Sequence, residues 1–156
     1  MCKIRLLISD FDGVLTNNKV LVFENGEEAV VCNKSDGLAV RELKKNNVEF
    51  LILSAEENGV VSMRARKLGV LCIQGCSDKE AVTKQLLEER GLKSSEAMFI
   101  GNDIDDLGAM KVIGWPVAPV DAHQDIKVIA KTVTRARGGQ GVVREMADII
   151  LGKAKR

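Results

Sequence analysis

Short apolar runs alternate with amphipathic stretches along almost the whole chain. Residues 3–9 (KIRLLIS) are mainly apolar and end at an acidic segment, which predicts a buried strand. Residues 19–23 and 27–32 are two β-prone runs split by Glu24, Asn25 and Gly26, and Asn-Gly between such runs predicts a hairpin. Asp36 is expected to cap a helix reaching Lys45, with Leu38, Val40 and Leu43 free to pack. The same alternation then predicts strands over 49–53, 70–73, 97–100, 116–118 and 132–134. Between and after them it predicts helices over 58–68, 78–90, 105–113, 123–130 and 141–151, with Gly91 and Gly114 as stops. Strands alternating with helices predict βαβ units and a mainly parallel sheet with helices on both faces, a three-layer Rossmann-like α/β fold. The hairpin breaks the alternation and is expected to project from the sheet.

Composition narrows this picture. The 156 residues are expected to form one domain, 1–156, able to bury a core without disulfides or a structural metal. Aromatic residues make up 3% and Tyr is absent, so the core must be aliphatic, as suits strands covered on both faces. The net charge of +1 and the scattered Lys and Arg speak against a nucleic-acid partner, which needs a concentrated basic face; the short basic tail from Lys153 to Arg156 reads as solvated. No run reaches membrane-spanning length, and the apolar stretch before Asp10 is too short for a secretory signal. A cytoplasmic protein with Cys2, Cys32, Cys72 and Cys76 reduced is expected, and Cys72 and Cys76 lack the second ligand pair of a zinc site.

The chemistry centres on Asp10-Phe11-Asp12-Gly13-Val14-Leu15-Thr16, directly after the first predicted strand. In open α/β sheets ligands bind beyond the carboxyl ends of strands, and Asp10, Ser54, Lys79 and Asn102 are all expected at that level. Two adjacent carboxylates repel one another unless a cation compensates, and a hard cation with oxygen ligands is the usual remedy. One carboxylate can then act as a nucleophile on phosphorus while the other moves a proton. Gly13 lets the backbone turn away from the site.

This segment resembles the first motif of haloacid dehalogenase phosphatases. Ser54 matches the hydroxyl residue of the second motif, Lys79 the third, and Gly101-Asn102-Asp103 with Asp106 the acidic fourth, in the superfamily's order. The likeness covers essentially the whole chain. Its best fit is a branch without a large cap domain, the phosphatases of 2-keto-3-deoxy sugar acid phosphates. Their patterns resemble Asp36-Gly37, Ser77-Asp78-Lys79, Asp121-Ala122-His123 and Gly138-Gly139-Gln140-Gly141 with Arg144-Glu145. The resemblance implies Asp10 as nucleophile, Asp12 as proton donor and then base, and Ser54 and Lys79 on the phosphate oxygens. It implies Mg2+ held by the Asp10 side chain, the Asp12 carbonyl and Asn102 or Asp103. Family members commonly carry Asp where this chain has Asn102, an uncharged ligand that implies weaker metal affinity or help from Asp103 or Asp106 through water.

The same resemblance bears on substrate and assembly. Glu56 occupies a place where octulosonate phosphatases tend to carry Arg and nononate phosphatases Glu, which implies the nine-carbon class of phosphorylated sugar acid. Thr16, Arg64, Lys67 and Arg137 are further implied substrate contacts, and Arg135 and Arg144 near the Gly138-Gly139 turn are candidates for meeting an anion. Relatives of this size form homotetramers in which one subunit's hairpin helps close a neighbour's site, and the apolar Val20, Leu21, Val22, Phe23, Val30 and Val31 suit burial in such an interface. The module also resembles the carboxyl-terminal domain of sialic acid cytidylyltransferases. That leaves a second expectation, an oligomerisation module with little or no activity, and the chain has no room for a nucleotidyl-transfer domain. A response-regulator receiver, the third possibility, is disfavoured by the Asp-Phe-Asp-Gly motif after the first strand.

Overall fold

The computed structural model describes residues 3–153, so Cys2 and the end of the basic tail, Lys155 and Arg156, lie outside the described residues. Four fully buried residues form the first strand, β1 (Leu6–Ser9), at the centre of the molecule. A two-stranded hairpin follows, β2 (Leu21–Val22) and β3 (Glu28–Ala29). Then come α1 (Lys34–Lys45), β4 (Glu49–Leu53), α2 (Gly59–Leu68), β5 (Leu71–Ile73) and α3 (Lys79–Glu89). After a 3-10 turn at Ser94–Glu96 the chain continues with β6 (Ala97–Ile100), a 3-10 turn at Ile104–Asp106, α4 (Leu107–Val112), β7 (Trp115–Ala118), α5 (Gln124–Ile129), β8 (Thr132–Val133) and α6 (Val142–Ile150).

Six strands pair in parallel in the order β5-β4-β1-β6-β7-β8. Leu6 lies opposite Glu49 on one side and Ala97 on the other. Because side chains alternate across a strand, the unbroken apolar runs feed two cores. Leu7, Phe50, Ile52, Met98 and Ile100 meet α1, α2 and α6, while Leu6, Ile8, Leu51, Leu53 and Phe99 meet α3, α4 and α5. The expected layers are therefore present, and the chain reverses its direction of travel across the sheet at β1. That reversal opens a crevice at the carboxyl ends of β1, β4 and β6, into which Asp10, Ser54 and Asn102 emerge.

The hairpin forms a sheet of its own. Its ladder is shorter than the apolar runs suggest, pairing Leu21 with Ala29 and Val22 with Glu28, and Gly26 turns the chain at φ +83. Leu21 and Val22 are about three-fifths exposed, and Phe23 about half. Two expectations for α1 are corrected. Asn33 caps the helix, its side chain accepting from the Ser35 N–H at 2.8 Å, while Asp36 lies inside the first turn and is fully buried. Leu38 is half exposed; the inward face is Asp36, Ala39, Val40 and Leu43, the i, i+3, i+4, i+7 stripe set by the helical period. The helix predicted over 105–113 begins as the 3-10 turn, because the Asp103 side chain accepts from Ile104 N–H and that of Asp106 from Asp103 N–H, closing a tight capping box.

Candidate active site

The loop that carries Asp10 is anchored from below. Asp10 N–H continues the ladder to the Ile100 carbonyl at 2.9 Å, and the buried Phe11 plugs the core beneath the loop. The Phe11 carbonyl accepts from Leu15 N–H at 2.9 Å and Thr16 N–H at 3.2 Å, which winds residues 11–16 into a compact turn. Gly13 adopts φ +79, and a Cβ there would come within 2.0 Å of the Asn102 side-chain amide, so glycine is required on both counts.

Asp10 is nearly buried and its Oδ1 accepts from Phe11 N–H at 2.7 Å. The Lys79 ammonium, at the start of α3 behind the cap residue Asp78, stands 3.1 Å from Asp10 Oδ1, 2.7 Å from Asp106 Oδ1 and 2.6 Å from Asp105 Oδ2. Oxygens of these three carboxylates converge within 4.8 Å, but the ammonium already serves as their cation. Burial opposes the charge of Lys79, yet Asp10 and Asp106 prevail and hold it protonated well above the usual lysine range. Burial and then the Asp106 charge push Asp10 well above the usual carboxylate range, with Lys79 and Phe11 N–H pulling the other way. Asp106, fully buried, accepts on Oδ2 from the N–H groups of Asn102 at 2.8 Å and Asp103 at 3.3 Å. It thus braces the acidic loop and anchors Lys79.

Asp12 is in a different environment. Its Oδ1 accepts from the Thr16 hydroxyl at 3.1 Å. Half-burial pushes its carboxyl above the usual range; that hydrogen bond opposes the rise, and the charges of Glu56 and Glu28 add to it. A carboxyl raised in this way suits a proton donor. Ser54 closes β4 with its N–H on the Ile73 carbonyl at 2.8 Å, and its hydroxyl accepts from Glu56 N–H at 3.1 Å.

The Asn102 side-chain amide bridges the Asp12 carbonyl at 2.8 Å and Asp10 Oδ2 at 3.1 Å with its nitrogen turned towards them. Turned the other way, its oxygen would join those two around one point, and three such oxygens are a donor set that fits a hard divalent cation. Asp103 lines the same cavity, with Oδ1 held by Ile104 N–H at 2.8 Å.

Asp10, Asp12, Ser54, Glu56, Asn102 and Asp103 share one cavity of about 230 Å³, which Asp105 and Asn18 also line. A second cavity of about 310 Å³ adjoins it, sharing Asp12, Asn18 and Glu56 and adding Lys19 and Glu28 at the foot of the hairpin. Thr16 sits behind Asp12 and is fully buried. Arg64 and Lys67 lie elsewhere, in a groove of about 440 Å³ between α1 and α2 that Lys34 and Arg41 also line. Arg137 is exposed and faces Asp121 at 3.5 Å; Arg144 pairs with Asp148 and Glu42, and Arg135 N–H is held by Glu145. Sequence reasoning missed Asp105 as a partner of Lys79, and Glu28, which lines the second cavity and accepts from Asn58 Nδ2 at 2.7 Å. The Asp105-Asp106 pair was a signal for the first; nothing local marks the second. Cys32, Cys72 and Cys76 are free thiols, and among the described residues no helix is long and apolar enough to cross a membrane.

Comparison with known proteins places the chain in a family. Residues 66–146 match the family of haloacid dehalogenase-like hydrolases. The 3-deoxy-D-manno-octulosonate 8-phosphate phosphatase KdsC of Salmonella typhi is 36% identical over 149 residues, covering 95% of this chain and 79% of that protein. The crystal structure of the 3-deoxy-D-manno-octulosonate 8-phosphate phosphatase from Yersinia pestis superposes with a TM-score of 0.93 at 35% identity, over 97% of this chain and 82% of that one. That of the Moraxella catarrhalis enzyme, in complex with magnesium, phosphate and KDO, gives 0.92 at 28% identity, over 97% and 87%. The chain is a phosphatase that belongs to the haloacid dehalogenase-like hydrolases, in their capless sugar-acid branch.

Proposed function

We propose that the chain hydrolyses the phosphate ester of a 2-keto-3-deoxy sugar acid, with Mg2+ as cofactor and Asp10 as nucleophile. The observation that carries this reading is the meeting of Asp10, Asp12, Ser54 and Asn102 in one cavity. An Asp10 oxygen attacks phosphorus and the bond from phosphorus to the sugar oxygen breaks. Asp12 delivers its proton to that oxygen, which leaves as the alcohol. Water then gives a proton to Asp12 and attacks the same phosphorus, releasing inorganic phosphate and the free Asp10 carboxylate. Ser54 and the Lys79 ammonium supply donors and charge to the transferring group. Asp10, the Asp12 carbonyl and Asn102 or Asp103 would hold the metal, which supplies positive charge against the repulsion between Asp10 and the phosphate dianion.

The sugar would extend into the second cavity, where Glu56 and Glu28 can accept hydrogen bonds from its hydroxyls. Glu56 supports the nine-carbon nononate 9-phosphate, whereas the similarity to octulosonate phosphatases supports the eight-carbon ester. In a homotetramer the exposed hairpin would cover a neighbour's cavity, and Arg64, Lys67 and Arg137 would reach substrate across that interface. A monomer by light scattering at micromolar concentration would remove this role for the hairpin. The second reading, a weakly active assembly module, is favoured by Asn102, whose neutral amide can satisfy Asp10 and Asp12 without an ion. Phosphate release with magnesium from the nine-carbon ester, the eight-carbon ester and a hexose phosphate decides among these. Release from one keto-deoxy ester, lost with chelator, is expected; no release from any of them by folded protein leaves the assembly module.

A further inference from the structure

The Gly138-Gly139-Gln140-Gly141 turn takes no part in the chemistry above, yet it lies directly against the loop that carries Asp12. A Cβ on Gly138 would stand 2.2 Å from the Gly13 carbonyl oxygen and 2.9 Å from that of Thr16, and one on Gly139 would stand 2.7 Å from the Thr16 carbonyl carbon. No side chain fits at either position without moving backbone. Gly139 N–H adds a hydrogen bond to the Val14 carbonyl at 2.9 Å.

Asp121 holds this turn from the other side. Its Oδ1 accepts from Gly138 N–H at 2.9 Å, and its Oδ2 faces Arg137 Nε at 3.5 Å. Asp121 lies in the loop after β7, two residues before His123, whose N–H donates to the Asn102 carbonyl at 2.8 Å. One loop therefore ties both halves of the site together, the Asn102 segment directly and the Asp12 segment through Gly138.

The Thr16 hydroxyl passes this constraint to the chemistry. Its oxygen accepts from Gly13 N–H and Asn18 N–H, each at 3.2 Å, which fills both lone pairs. Its single proton is left for Asp12 Oδ1 at 3.1 Å. Oδ1 is held by that hydrogen bond, whereas Oδ2 has no partner among the described residues and is the oxygen free to carry the proton that Asp12 transfers.

We propose that Asp121 and the Gly138-Gly139 turn are a positioning element, which fixes residues 13–17 so that Thr16 occupies Asp12 Oδ1 and leaves Oδ2 for the leaving group. This rests on the phosphatase reading and assigns residues outside the cavity a role in proton transfer. The test compares first-turnover rates in magnesium for two esters. A 2-keto-3-deoxy sugar acid phosphate must have its leaving alkoxide protonated, whereas p-nitrophenyl phosphate expels a phenolate that needs no proton. Asp121→Ala is expected to slow the sugar ester roughly 30- to 100-fold and the nitrophenyl ester by less than about threefold. Asp121→Asn keeps the acceptor for Gly138 N–H and should restore the ratio to near wild type. Gly138→Ala reaches the same split by a different route, and decides the matter if Asp121→Ala does not fold. Equal losses on both esters, or none on either, overturn the positioning role and leave the phosphatase reading standing. Folded wild-type protein that cleaves neither ester overturns that reading and this proposal with it.

Discussion

Asp106 and Asp36 are both fully buried carboxylates, and the protein treats them differently. Asp106 has the Lys79 ammonium on one oxygen and two backbone N–H groups on the other. Asp36, on α1, accepts from Arg144 N–H at 2.9 Å on Oδ1, while its Oδ2 has no partner. Asp36 stands in for a missing cap: the residue before α6 is Gly141, which has no side chain to offer the first-turn N–H groups. Burial pushes the Asp36 carboxyl up to about 6, with the Arg144 N–H, the Arg64 charge and the Val143 N–H opposing. In the acidic cluster both oxygens of Asp106 have partners, although burial still raises its carboxyl against the pull of Lys79; under the scaffold helix only one oxygen of Asp36 is partnered. A carboxylate kept for chemistry needs a fixed cation, whereas a carboxyl used as a cap can remain partly protonated.

The sharpest test on the active side is Asp10→Asn. It removes the attacking oxygen's charge without changing shape, so turnover should fall by at least about a thousandfold while the thermal midpoint moves by no more than a few degrees. Turnover near wild type would sink the nucleophile assignment. Lys79→Met probes the compensation itself. It leaves Asp10 and Asp106 buried without their shared cation, which should cost about 3–5 kcal/mol in urea unfolding along with the activity. A cost below about 1 kcal/mol would mean that the two carboxylates are already neutral, and the contrast with Asp36 would disappear.

Asp36→Asn works on the other side of the contrast. The folded-state value of about 6 lies above the ordinary 3.8, so the native state binds the proton more tightly than the unfolded chain. Stability from this group is therefore present below about pH 4 and is lost as pH rises through about 6. The gap corresponds to about 3 kcal/mol. Asn keeps the acceptor for Arg144 N–H and cannot ionise, so the variant should gain on wild type by up to that amount between pH 4 and 7. Parallel stability curves for the two proteins across that range would show that Asp36 is not the source.

The contrast also explains what could be read from the chain beforehand. The parallel sheet and the place of the acidic loop after β1 were legible because both rest on local signals: unbroken apolar runs such as Leu51–Leu53, and carboxylates placed directly after a strand. Asp36 was misread because its identity and position match a cap for its own helix. Its real partner, Arg144, lies 108 residues away, and only packing of α1 on α6 brings them together. Arg64 and Lys67 were placed by resemblance, and one chain alone puts them in a separate groove. Glu28 escaped notice because its tie to Asn58 joins the hairpin to α2, a tertiary contact with no periodic trace.

The smallest expected effect belongs to Asn102→Asp, and its sign separates the two functional readings. The Asn102 amide can donate to the Asp12 carbonyl and to Asp10 Oδ2, so a neutral group can satisfy the cradle without an ion. An Asp there can donate neither hydrogen bond and adds a negative charge beside Asp10, so without metal the variant should be less stable by about 1 kcal/mol. With magnesium the added charge becomes an advantage, because affinity for hard cations rises with the charge of the ligand set. The magnesium concentration giving half-maximal phosphate release should fall by about tenfold, close to 1.4 kcal/mol. Thermal midpoints with and without magnesium check this apart from turnover: the variant should start lower and gain more from the ion. If magnesium raises neither midpoint, the oxygens around Asn102 are not a cation site, and Asn102 serves as the internal hydrogen-bond bridge that an assembly module would need.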